Sequence, residues 1–192
     1  MRASNALGER PGRRLTLVLP ALAVALMAIA VCAPAGIASG PKSVNVLKLL
    51  GARIARVKRH DGGVPVLLPA TMPLPHHDFT ASAAKPGRYQ LEIDGGEPCG
   101  GANVCLFALF TGLRGGHLYG KPVSLHGGIV GRYAQIQCGA SCSPPSIDWT
   151  LRGVLYTITA NPSVGDHRAG TAGAVRAVFV AAANESIDAG PR

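Results

Sequence analysis

Acidic residues are scarce in this chain, and so are aromatic ones. Ten Asp and Glu stand against 19 Lys and Arg over 192 residues, and Phe, Trp and Tyr together make up 5 %. With so few rings the core has to be built mainly from Val, Leu and Ile. Several catalytic signatures are missing as well. There is no G-x-S-x-G elbow to expose a serine nucleophile. Gly112-Leu113-Arg114-Gly115-Gly116 lacks both the spacing and the Lys-Ser/Thr ending of a phosphate-binding loop. A redox C-x-x-C is absent, and no two carboxylates stand out as a pair for glycoside chemistry.

What is plentiful is Gly (25) and Pro (15), a composition that favours many turns and short strands over long helices. The formal charge of +9 would suit a nucleic-acid partner, but its distribution does not. Arg2, Arg10, Arg13 and Arg14 cluster at the start, with Glu9 the one acid among them. Lys42, Lys48, Arg53, Arg56, Lys58 and Arg59 form a second block with no acid inside it. From residue 62 to residue 192, nine basic side chains face eight acidic ones, leaving +1. A domain built for nucleic acid carries its excess on the fold itself, so no nucleic-acid partner is expected.

The first basic block precedes Leu15–Val31, 17 residues without a charge, and small residues follow. Ala33-Pro34-Ala35 has the A-x-A form required by a peptidase pocket that admits only small side chains. Residues 1–35 therefore read as a signal peptide, with a second cut site after Ala38. The alternative is an uncleaved leader that anchors the protein in the membrane through residues 15–31, although a span needs about 20 residues. Ile29-Ala30-Val31-Cys32 approaches a lipobox, but Val31 is too large for its position. Arg13-Arg14 hints at twin-arginine export, from which Gly12 and Thr16 depart. The rest divides into a basic segment or tether, residues 36–62, and a single β-rich, disulfide-bonded domain, residues 63–189.

Within the basic segment Val44, Leu47, Leu50, Ile54 and Val57 recur at helical spacing, with Arg53, Arg56 and Arg59 mostly off that stripe. Such a helix either packs on the domain, remains a solvated tether, or lies through residues 42–59 on an anionic membrane or an acidic partner. Asp61-Gly62-Gly63 ends it.

Val64-Pro65-Val66-Leu67-Leu68-Pro69 is apolar and fenced by prolines, which suits an edge strand or an extended lead-in. Tyr89–Ile93 alternates as a half-buried strand. Further strands are expected over Val104–Phe110, Val123–Leu125 and Ile129–Gln137, with His126-Gly127-Gly128 as a turn. Ile147, Trp149 and Leu151 alternate with polar residues, Arg152-Gly153 makes a two-residue turn, and Val154, Tyr156 and Ile158 alternate again. This turn places Leu151 opposite Val154, Trp149 opposite Tyr156 and Ile147 opposite Ile158 on one core face. Asp148 then falls opposite Thr157 on the outer face, as a solvated strand residue. Residues 173–187 form a helix whose inner face is Val175, Phe179, Ala182 and Ala183. The expected fold is α+β: a curved antiparallel sheet of about five to seven short strands with a C-terminal helix packed on it.

Cys99, Cys105, Cys138 and Cys142 remain once the leader carrying Cys32 is removed. An even count in an exported chain implies disulfides. Four cysteines allow three pairings, and the local pairs Cys99–Cys105 and Cys138–Cys142 each staple a Gly/Pro/Ser-rich loop. The rival four-cysteine zinc site needs tighter spacing than Cys99 and Cys105 provide. His76-His77-Asp78, flanked by Pro73 and Pro75, reads as a surface turn, its rival role being a metal or acid–base site in an exported hydrolase. Asp166-His167 sits in a loop context with the same two readings. No catalytic, metal or cofactor-binding residue is assigned, and no cofactor is expected.

Trp149-x-x-x-Gly153-x-x-Tyr156-x-Ile158, followed by a short connection and an Ala-rich helix, resembles a group of uncharacterised bacterial exported and envelope domains. The Val64–Pro69 run and Gly131-Arg132-Tyr133 are similar to the same group; the two cysteine loops depart from it. The resemblance implies a sheet-plus-helix envelope module that binds or senses, and it brings no catalytic residues. The expected function is a non-enzymatic exported domain, periplasmic or secreted, whose partner is an envelope protein or surface component met through the two cysteine loops. The intact mass of the mature protein tests the leader and the disulfides together. It should lack residues 1–35, or up to 38, and reduction should add the hydrogens of two disulfides. A full-length mass with all five thiols free would contradict both expectations.

Overall fold

In the computed structural model residues 43–74, 79–96, 105–161 and 172–192 are described. In chain order the elements are β1 (Ser43–Asn45), α1 (Val46–Val57), β2 (Thr71–Pro73), β3 (Phe79–Lys85), β4 (Arg88–Asp94), β5 (Leu106–Arg114), β6 (Lys121–Ser124), β7 (Val130–Ala134), β8 (Gln137–Cys138), β9 (Cys142–Ser143), β10 (Ser146–Leu151), β11 (Val154–Ala160) and α2 (Ala172–Ala189). The protein is α+β. Seven strands form one antiparallel sheet in the order β3-β4-β5-β11-β10-β7-β6, and two two-stranded pairs, β1-β2 and β8-β9, stand beside it.

The β10-β11 hairpin lies near the middle of the sheet. Its register pairs Ile147 with Ile158, Trp149 with Tyr156 and Leu151 with Val154. Arg152 (φ 51°) and Gly153 (φ 75°) both adopt the left-handed region, the backbone that lets a two-residue turn follow the strand twist. Arg152 is the one non-glycine among the described residues with positive φ. Trp149 and Tyr156 stack with ring centroids 5.6 Å apart and are almost fully buried.

On β4, Tyr89, Leu91 and Ile93 face the core while Gln90 and Glu92 stay half-exposed, the alternation written in the sequence. Its partner β3 carries no such alternation, being mostly Ala and Ser. Cross-strand pairing with β4 overrides this weak propensity. Beyond Ala134 the expected 129–137 strand breaks, and the chain leaves the sheet into the separate β8-β9 hairpin.

Both helices bury apolar faces in the common core. In α1, Asn45 caps the first turn by accepting from the Lys48 amide at 2.8 Å, and Val46, Leu50 and Val57 are buried. Of the dispositions considered for the basic segment, the structure therefore shows the helix packed on the domain. In α2, Phe179, Ala182, Ala183 and Ser186 are buried, and Phe179 meets Tyr133 at 5.7 Å between centroids. Neither helix is long and apolar enough to cross a membrane; residues 15–31 lie outside the described part.

Val64–Pro69 joins neither edge. It crosses the core as an extended chain with Val64, Val66, Leu67 and Leu68 buried. Beneath it Tyr89, Gly112 and Tyr156 stand in one cross-strand row of β4, β5 and β11. A Cβ at Gly112 would overlap the Tyr89 ring, so only glycine leaves room for it. The Tyr89 hydroxyl accepts from the Leu67 amide at 3.2 Å and donates to the Leu67 carbonyl at 3.4 Å. The Tyr156 hydroxyl donates to the Pro65 carbonyl at 3.0 Å. Arg192 closes the other side: its amide donates to the Val66 carbonyl at 3.0 Å and its guanidinium to the Leu68 carbonyl at 2.9 Å. Burial pushes the Tyr156 phenol up to about 12 and Tyr89 further in the same direction, so both remain donors throughout the physiological range. Tyr89→Phe keeps the ring but orphans the Leu67 amide. Denaturant unfolding should show a loss of about 1–3 kcal/mol, the cost of an unpaired buried backbone group.

Candidate functional site

A concavity with polar lining lies where the segment before β6 crosses β7 and the β8-β9 hairpin. Its floor is set by Gly120 (φ 107°), where a Cβ would fall on the Tyr133 carbonyl; only glycine permits that approach. Asp148 fixes the segment. It was expected to be solvated on the outer hairpin face, but it is only 6 % exposed, because residues 118–120 are drawn over it. Its Oδ2 accepts from the Tyr119 amide at 3.0 Å, and the Thr157 hydroxyl bonds it too. Burial raises its carboxyl above the usual range, an effect these two bonds partly offset.

Held this way, Tyr119 turns its ring outward, 60 % exposed, and its hydroxyl exchanges hydrogen bonds of 3.1–3.3 Å with the Gln137 amide. The Arg132 guanidinium donates to the Gly120 carbonyl at 2.9 Å. Together they bound a cleft of about 380 Å³ whose polar lining is Tyr119, Lys121, Arg132, Tyr133, Gln135 and Gln137. No acid lines it. Ile136 beside it is 49 % exposed, so two of the four large exposed apolar side chains among the described residues, Tyr119 and Ile136, border this one place. An aromatic face, two cations and amide groups suit recognition of a ligand that carries acceptors.

The adjoining hairpin is closed by a Cys138–Cys142 disulfide, with the two Cα atoms 4.0 Å apart. Residues 135–143 are all exposed, so this loop is not folded against the chain's own core. Cys105 is also disulfide-bonded; Cys99 and the rest of that loop lie outside the described residues. Disulfide sulfurs cannot serve as thiolate ligands, which removes the four-cysteine zinc reading. His76, His77 and Asp78 lie outside the described residues, as do Asp166 and His167. Among the described residues no group of three or more His, Cys, Asp and Glu is placed to hold a metal. Trp149 and Tyr156 are buried in the sheet and Gly153 makes the turn between their strands; none of the three lines the cleft. No family model, curated protein or solved structure matches the chain.

One acidic pair escaped the sequence reading. Glu92 and Asp94 are two apart on β4 and so share a face, and their carboxyls hydrogen-bond. The signal was present in the alternation of Gln90, Glu92 and Asp94 against Tyr89, Leu91 and Ile93. Burial, then the Glu92 charge and its hydrogen bond, lift Asp94 from 3.8 to about 6. The folded protein thus holds this proton more tightly than the unfolded chain. Its contribution to stability is complete below about pH 4 and is lost as pH rises through about 6. Asp94→Asn should gain stability relative to the parent between pH 4 and pH 7, measured by urea unfolding at each pH. Parallel curves for the two proteins would refute the assignment.

Proposed function

We propose that the protein is an exported, non-enzymatic binding module, periplasmic or secreted, that engages an envelope protein or surface component through the cleft beside the Cys138–Cys142 hairpin. The observation that carries this reading is the convergence of exposed Tyr119 and Ile136 with Lys121 and Arg132 next to a stapled, fully exposed loop. Large exposed apolar side chains grouped at one cleft favour an interaction site over a solvated surface. A rigid scaffold presenting a short closed loop also limits the ordering cost of binding. Disulfide bonding is compatible with an oxidising compartment, and the arginine-flanked leader supplies the route to it. The resemblance to exported envelope domains points to the same setting, with the ligand supplied by that setting rather than by any cofactor.

The reading is tested by placing a photo-crosslinking residue at position 119, 136 or, as a control, 113, in the protein expressed by its own cell. Leu113 is comparably apolar and 39 % exposed, on β5 away from the cleft. Positions 119 and 136 should give one discrete adduct of the same mass, and Arg132→Ala should weaken it. Position 113 should give none. No adduct at either cleft position, or one ladder common to all three, would contradict the proposal.

A further inference from the structure

The seven-stranded sheet ends on β3, and no other strand among the described residues pairs with its outer edge. An unpaired strand of seven residues is a template for another chain, and natural edges are usually blunted by proline, a bulge or inward charge. Phe79–Lys85 has none of these before Lys85: its register with β4 is unbroken and its middle is Ala, Ser and Ala. On one side of the edge stands α1. Arg53 reaches across to Thr80 Oγ1 at 3.4 Å, and Arg56 and His60 meet Ser82 around a cavity of about 270 Å³. Ser82 Oγ is buried there and finds no partner among the described residues. Between Ser43 and Asp61 the only acid is Asp61, which is buried and accepts from the Gly63 amide. The helix side of the edge is therefore cationic and holds an unused hydroxyl donor.

The opposite face carries no such block of one sign: Phe79, Ala81, Ala83 and Lys85 stand beside Asp94, Glu92, Gln90 and Arg88 of β4, and Asp94 is buried. A strand laid against β3 would turn alternate side chains toward the cationic helix and the rest toward this mixed face.

We infer that the β3 edge binds an extended peptide segment as an eighth strand, with acidic side chains at alternate positions facing α1 and small or apolar ones between them. Backbone bonds to the edge supply affinity. A carboxylate in the Arg56–His60–Ser82 cavity supplies selectivity, because charge-assisted bonds there satisfy the orphan hydroxyl. A second copy of this chain is a poor occupant. Antiparallel β3 pairing about a two-fold axis would bring two basic α1 helices to one seam. This edge is separate from the Tyr119 cleft, so the two can be tested independently.

The test uses the mature protein and a labelled seven-residue peptide with Glu at its second, fourth and sixth positions and Thr or Val between. Its Gln and Lys counterparts serve as controls. Fluorescence polarisation should show saturable binding of the Glu peptide, at least about tenfold tighter than the Gln peptide. Hydrogen exchange should show amides of Phe79–Lys85 becoming protected in the complex. Arg56 is an exposed helix residue, so Arg56→Glu should keep the fold while weakening the Glu peptide and favouring the Lys peptide. Ser82→Ala should weaken the Glu peptide several-fold and leave the Gln peptide unchanged. Equal or absent binding of the Glu and Gln peptides would overturn the inference, as would binding without protection of β3. Two further outcomes would also overturn it: a dimer whose β3 amides are already protected, or phosphatidylglycerol vesicles bound through Arg56 while the peptide is not.

Discussion

A buried stretch of chain that belongs to no sheet sets the terms for this fold. Val64–Pro69 is too apolar to sit in water and, with prolines at both 65 and 69, cannot be an interior strand of a sheet. Its carbonyls and the Leu67 amide need partners nonetheless, since an unpaired buried backbone group costs about 1–3 kcal/mol. Two tyrosine hydroxyls rising from the sheet and the backbone and guanidinium of Arg192 provide them. The demand explains why scarce aromatic residues are spent on Tyr89 and Tyr156, why Gly112 lies between them, and why the chain beyond α2 folds back onto residue 66. It also fixes α1 and α2, whose buried faces share one core with the extended run.

With the core defined by these contacts, the periphery is free to present groups to the outside. At the β6-β7 end, the buried Asp148 carboxylate holds the Tyr119 backbone, so the Tyr119 ring can stay exposed without the segment being loose. The Cys138–Cys142 bridge closes the neighbouring hairpin. At the opposite edge α1 lies along β3 and lines it with arginine. Two surfaces of different character thus sit on the two margins of one sheet, one aromatic and cleft-like, the other a strand edge with a cationic flank.

The parts legible in the sequence were those governed by neighbours along the chain. Arg152-Gly153 fixes a two-residue turn, and the turn fixes every pair from Leu151–Val154 to Ile147–Ile158. The apolar face of α2 was readable at Phe179, Ala182 and Ala183 for the same reason. What was illegible came from distance. Asp148 looks like a solvated strand residue until a segment 29 positions earlier is laid over it. β3 has no alternation of its own and becomes a strand only because β4 is there to pair with. The apolar stripe of α1 was visible, but nothing in residues 43–60 says that a sheet, and not lipid, would cover it. The cleft, assembled from residues on both sides of β6 and β7, had no linear signature beyond the cysteine spacing that marked its rim.

The account stands or falls on whether Val64–Pro69 is held as firmly as the sheet. Amide hydrogen exchange at Leu67 tests this directly, because among the described residues that amide is secured only by the Tyr89 hydroxyl. It should exchange as slowly as the amides of β11, through global unfolding alone. Exchange at the rate of the exposed loop amides, with β11 still protected, would show that the run opens by itself and that the tyrosine row does not hold the core together.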